Sequence, residues 1–139
     1  MSYTIDIFLP VIDETFSIEK TILIIEKDSS KFVNKYLITV SKNKTSKKSF
    51  EKIYFLKKKY KNKIKIIFQE KPYLGGALMT AIKYIDSSHF VIMASDLETN
   101  PNFFHKLRAN SQKDNDTIFV ATRWKKKNIF QNYNIIKLL

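Results

Sequence analysis

His89–Pro101 reads HFVIMASDLETNP, and this stretch decides the fold. The apolar run Phe90–Met93 has the length and composition of a buried strand. It ends in small residues and then releases two carboxylates, Asp96 and Glu98. In an extended segment, residues two apart point to the same side, so these acids are expected to project together from the strand's carboxyl end. Ligands of open α/β sheets bind at that end. Two convergent carboxylates offer hard oxygen ligands to Mg2+ or Mn2+ and, through the metal, to a diphosphate. Pro101 is placed to open a helix in its first turn, where the missing N–H is harmless. Without a metal the same residues read as a strand, a polar turn and a helix cap, since acids favour helix starts.

Strand and helix patterns alternate on both sides of this stretch. Strands are expected at Ile5–Leu9, Tyr36–Val40, Ile64–Phe68, Phe90–Met93 and Thr117–Thr122. Helical spacing of apolar residues covers Phe16–Lys27, Phe50–Tyr60, Ala77–Ile85, Asn102–Asn110 and Phe130–Leu139. Ser41–Lys48 is a polar, basic loop. Gln69–Gly76 is a loop holding Pro72 and the only two glycines, Gly75 and Gly76, and Trp124–Asn128 is a basic segment. This order predicts an α/β fold, a mostly parallel sheet flanked by helices. No repeat or linker interrupts it, so residues 1–139 are expected to form a single domain. Ile135–Leu139 is apolar and lacks a C-cap, which reads as the first part of a longer design.

Composition narrows the function classes. Of 139 residues, 44% are hydrophobic, enough for a core, and no apolar run is long enough to span a bilayer. The N-terminus MSYTIDIF lacks the basic start and apolar centre of a secretory signal. No cysteine is present, which excludes disulfides and thiolate metal sites, and a cytoplasmic location is expected. The net charge is +12, but Arg108 and Arg123 are the only arginines. Readers of bases and phosphates favour arginine, so the charge reads as solvated lysine and no nucleic-acid partner is expected. His89 and His105 lie in no zinc spacing, and no serine sits in a GxSxG setting. Gly75–Gly76 lack the Lys–Ser/Thr of a P-loop and are expected to give a tight turn into a helix.

Four stretches fall into a familiar order. Pro10–Glu14 (PVIDE) looks like a first-strand PVYNE. Tyr73–Ile82 (YLGGALMTAI) looks like a GxGGALRTGI loop and helix. Met93–Pro101 (MASDLETNP) looks like MDADLQxxP, a DXD motif. Ala121–Trp124 (ATRW) looks like a later strand ending in GSRY or ATRW. Together they resemble family 2 glycosyltransferases of the Rossmann-like GT-A fold, particularly the dolichol-phosphate mannosyltransferase-like and polyprenyl-phosphate sugar transferase-like branch. The match covers the nucleotide-binding first part only, so the fold is expected in truncated form. The resemblance implies metal-dependent binding of a nucleotide-diphosphate sugar, UDP- or GDP-linked, for transfer to a lipid phosphate or polysaccharide. It assigns nucleotide binding to Pro10, Val11, Ile12, Glu14, Ser41, Gly76, Ser95 and Arg123. Asp96 and Glu98 would hold Mg2+ or Mn2+. It nominates no catalytic base.

The departures are equally specific. Ala94 replaces the first DXD aspartate, which weakens the metal site. The family's VDDGS becomes Val40, Ser41, Lys42, Asn43, Lys44, so both acids are lost. Ser41 can still hydrogen-bond a base edge, and Lys42 and Lys44 can attract the diphosphate directly. Met79 stands for the arginine of the helix and Tyr73 for its first glycine. These changes also fit a non-catalytic remnant or interaction domain with the same fold. A partial fold would expose apolar surface at Phe103, Phe104, Phe119, Trp124, Phe130 and Tyr133. Self-association or peripheral contact with the cytoplasmic membrane face is expected there.

Overall fold

The central strand is β1 (Ile5–Val11), and its alternating residues build both faces of the sheet. The structure is a computed structural model that describes residues 3–113 and 117–120. Packing divides the chain into two units, Met1–His105 and Lys106–Leu139. In the first, β1 is followed by α1 (Phe16–Ser29), β2 (Val33–Val40), α2 (Lys47–Tyr60), β3 (Ile64–Phe68), α3 (Tyr73–Ile82) and β4 (His89–Ile92). A 3-10 turn at Pro101–Phe103 leads into α4 (Phe104–Ser111).

The sheet order is β3-β2-β1-β4, and every pairing is parallel. The chain steps outward from β1 to β2 to β3, then crosses back through α3 to lay β4 on the other side of β1. The direction of winding therefore reverses between β1 and β4, which makes their carboxyl ends a topological switch point.

The helix periods explain the two layers. In α1, Ile18, Ile22 and Ile25 lie on one face, and in α2 so do Ile53 and Leu56. Both faces pack on Ile5, Ile7, Leu9 and Val11 of β1. The opposite sheet face, with Phe8, Leu37 and Ile67, packs on Ala77 and Ala81 of α3. Each fully buried Ile or Phe contributes roughly 1.5–3 kcal/mol by leaving water.

The α/β class and the first four strands agree with the sequence reading, and several boundaries move. β1 runs on to Val11, β2 begins at Val33, and α1 extends to Ser29. α2 begins at Lys47 because Ser46, extended at ψ 153, accepts a hydrogen bond from the Ser49 N–H. α3 begins at Tyr73 rather than Ala77, so Gly75 and Gly76 lie inside its first turn instead of in a preceding loop. Residues 117–120 are not in a strand. The remaining two residues of that expected strand, the 124–128 segment and the 130–139 helix lie outside the described residues. Phe104, expected on an exposed patch, is buried in the core that α1 and α2 share.

Candidate functional site

The site is assembled from four loops that leave the carboxyl edge of the sheet. Three consecutive carbonyls at the end of β1 stitch the neighbours together. Pro10 C=O accepts the Ser95 hydroxyl from the loop after β4. Val11 C=O accepts the Thr45 hydroxyl at 2.8 Å, and Ile12 C=O accepts the Ser46 N–H at 2.8 Å. Thr45 in turn accepts the Ser41 N–H at 2.9 Å. Successive carbonyls of a strand point to opposite neighbours. Pro10 therefore faces the β4 loop and Val11 the β2 loop, while Ile12, past the end of the strand, joins Val11 on the β2 side.

This stitching sorts the residues expected to bind nucleotide. Pro10 and Ser95 are joined directly, and Ser41 reaches Val11 through Thr45. Ile12 is exposed at the rim, whereas the Val11 side chain is buried in the core. Val11 can offer the site only backbone, because its side chain points to the α1–α2 face of the sheet. Glu14 folds back on its own loop, where its carboxylate accepts the Ile12 N–H at 2.6 Å and the Asp13 N–H at 3.0 Å. Arg123 lies outside the described residues. Thr45 was not singled out in the sequence. Its signal was a lone β-branched residue in a polar loop just ahead of a helix cap.

The two acids lie at the switch point, but not on an extended segment. Leu97 between them has φ 69, a left-handed conformation. Asp96 Oδ1 accepts the Glu98 N–H at 2.9 Å, closing a turn of the kind aspartates favour. The expectation that alternation aligns the two carboxylates is therefore corrected: a turn, not a pleat, positions them. Both residues are exposed. Asn100 then accepts the Asn102 N–H at 3.0 Å, and Pro101 opens the next turn as expected.

These residues can be tested for their fit to a divalent metal. Among the described residues, no three His, Cys, Asp or Glu side chains converge. Ala94 contributes no ligand where the DXD pattern has its first acid. Two exposed carboxylates do not make an all-protein cage. They do fit Mg2+ or Mn2+ that keeps its waters and arrives on a diphosphate, since such ions need only one or two carboxylates.

The β2–β3 side of the same edge is aromatic and basic. Lys42 Nζ sits 5.9 Å from the Phe68 ring centre, and Lys44 Nζ 5.4 Å from that of Tyr73. Tyr73 has φ 65 and is 78% exposed. That conformation costs an L-residue roughly 1–2 kcal/mol and suits the glycine that the motif carries there. Gly76 fills a different need. A Cβ on it would overlap the Lys71 carbonyl and sit 2.8 Å from the Lys71 Cβ. At Gly75 nothing lies within 4 Å of that position.

The sequence model described as glycosyl transferase family 2 matches residues 12–137, nearly the whole chain. No curated protein matches it.

Proposed function

The chain belongs to glycosyl transferase family 2, and from that premise we propose that it binds a UDP- or GDP-sugar at the crevice between the ends of β1 and β4. The family implies a nucleotide-sugar donor and an acceptor in general. The finer reading is a donor site in lipid-linked sugar or polysaccharide assembly, with a lipid phosphate or saccharide as acceptor, at the cytoplasmic membrane face. The observation that carries it is the switch point itself, where the Ser95–Pro10 bond holds the Asp96–Glu98 turn beside the end of β1.

In this reading Asp96 and Glu98 would hold Mg2+ or Mn2+ together with the diphosphate oxygens. A bound metal would neutralise the charge that develops on the leaving diphosphate. The chain's own groups do the rest. Ile12 and Pro10 form an apolar wall for the base, and Ser41 offers its hydroxyl to a base or ribose edge. Lys42 supplies positive charge where the family pattern has an acid, and Lys44 adds a second charge two residues on, so part of the diphosphate attraction is independent of metal. Lys42→Ala should accordingly weaken nucleotide binding more without metal than with it; equal losses would refute that role.

Calorimetric titration of UDP and GDP, each with and without Mn2+, tests the donor site on the native chain and Asp96→Ala. Metal-enhanced binding lost in Asp96→Ala is the expected result. The second reading, a non-catalytic remnant or interaction domain with the same fold, is favoured by Ala94 and by the self-satisfied carboxylate of Glu14. Absence of binding for both nucleotides would select it.

A further inference from the structure

The outer faces of α1 and α2 carry the same device. Each helix turns its apolar face to the sheet, and the residues opposite recur at helical spacing. On α1 they are Phe16, Lys20, Leu23 and Lys27. On α2 they are Lys47, Glu51, Tyr54 and Lys58, with Phe55 beside Tyr54. The apolar members are 50–68% exposed, far more than isolated packing residues need. Lysine heads lie close to these rings: Lys20 Nζ is 5.6 Å from the Phe16 ring centre and Lys52 Nζ 5.1 Å from that of Phe55. The Lys52–Glu19 ion pair ties the two helices into one surface and neutralises Glu19. Glu51 is the one acid within either outward stripe, and Asp28 is exposed beside Lys27, so lysines outnumber acids there.

We propose that this α1–α2 face docks on an anionic lipid surface, with Phe16, Leu23, Tyr54 and Phe55 entering the headgroup boundary and the lysines meeting lipid phosphates. Charge complementarity selects the occupant. Aromatic and aliphatic side chains set among lysines suit an interface that is apolar below and negative above. Lysine stems lie along apolar surface and carry their heads to the polar level. The α3 face provides the contrast. It also exposes Leu74, Met79 and Ile82, but Tyr73–Ile82 itself holds no lysine and the Lys83 that follows is paired with Glu70, so apolar side chains and cations do not alternate along it. Among the described residues no helix is long and apolar enough to cross a membrane. Arginine, which reads phosphates and stacks on bases, is absent from both helices, so a nucleic acid is the less suited occupant.

Co-sedimentation of the full chain with phosphatidylcholine vesicles, with and without phosphatidylglycerol, tests the proposal. Binding to the anionic vesicles alone, weakened by salt, is expected. Tyr54→Ser with Phe55→Ser should weaken it roughly tenfold. Because both side chains are half exposed, the circular dichroism and thermal midpoint should hold. Lys47→Gln with Lys58→Gln should lower binding and flatten the salt dependence, and Met79→Ser on the α3 face should leave it unchanged. Equal binding to neutral vesicles, no binding to either, or binding unchanged in both double variants would overturn the proposal. So would displacement of the chain from vesicles by polyuridylate with the aromatic residues irrelevant. The assay contains no nucleotide, so its outcome is independent of the donor reading.

Discussion

At the scale of single residues, two adjacent glycines have opposite roles. Gly76 allows α3 to approach the Lys71 backbone, and Gly75 faces open space. Gly76→Ala should destabilise the chain by about 1–3 kcal/mol, because the clash is with backbone that cannot rotate away. Gly75→Ala should stabilise it by about 0.5–1 kcal/mol through helix propensity. Equilibrium urea unfolding of the two variants measures both signs. The pair was legible in the sequence as a backbone feature, but which glycine is indispensable depends on where Lys71 folds. Thr39 makes a second residue-scale case. Its hydroxyl is buried in β2 without a hydrogen-bond partner. Thr39→Val keeps the shape and removes the orphan, so a gain of about 1 kcal/mol is expected in the same experiment. A loss would mean that the hydroxyl serves a ligand or a bound water.

At the scale of elements, the ends opposite the candidate site are held by polar networks. Asp6, fully buried in β1, accepts the Asn34 amide at 2.9 Å and the Asp86 N–H at 3.0 Å. Asp86 also pairs with Lys35, and that hydrogen bond, helped by Asn34, holds its carboxyl below the usual value of 3.8. A depressed carboxylate stabilises the fold fully above its unfolded pKa and loses that contribution as pH falls through the folded one. Native stability should therefore decline below pH 3.8, and Asp86→Asn should show less of that decline in acid titrations followed by circular dichroism. Across the sheet, Lys63 reaches both oxygens of Glu26 and the backbone and hydroxyl of Ser30. The Tyr36 hydroxyl donates to Glu26 at 2.9 Å, and burial together with that charge keeps the phenol protonated. Ser46 also belongs to this scale. It caps α2 at a start three residues ahead of the one expected from apolar spacing, and Ser46→Ala should cost about 1 kcal/mol.

At the scale of the whole molecule, protection should follow sheet position. β1 has partners on both sides and cores on both faces. β4 pairs with β1 on one side, and among the described residues no strand lies on its other side. Hydrogen exchange should be slowest in Ile5–Val11 and should reach β4 through local opening before global unfolding. Equal protection of β1 and β4 would show that another element covers that edge.

The order of strands and helices follows from the sequence alone, because period two and period 3.6 in apolar residues are local signals. Four of the expected strands formed, and the PVIDE and MASDLETNP stretches lie at the carboxyl ends of β1 and β4, while residues 121–124 lie outside the described residues. Tertiary structure decided what periodicity cannot carry. It placed β4 beside β1 and so made the switch point, since strand order depends on which faces find cores. It turned the Val11 side chain inward and gave Thr45 its bridging role, because a strand end's carbonyls must be satisfied by whatever loops pass nearby. It also replaced an extended pair of acids with a turn at Leu97, whose left-handed φ is set by the Asp96–Glu98 hydrogen bond and not by any pattern of apolar residues.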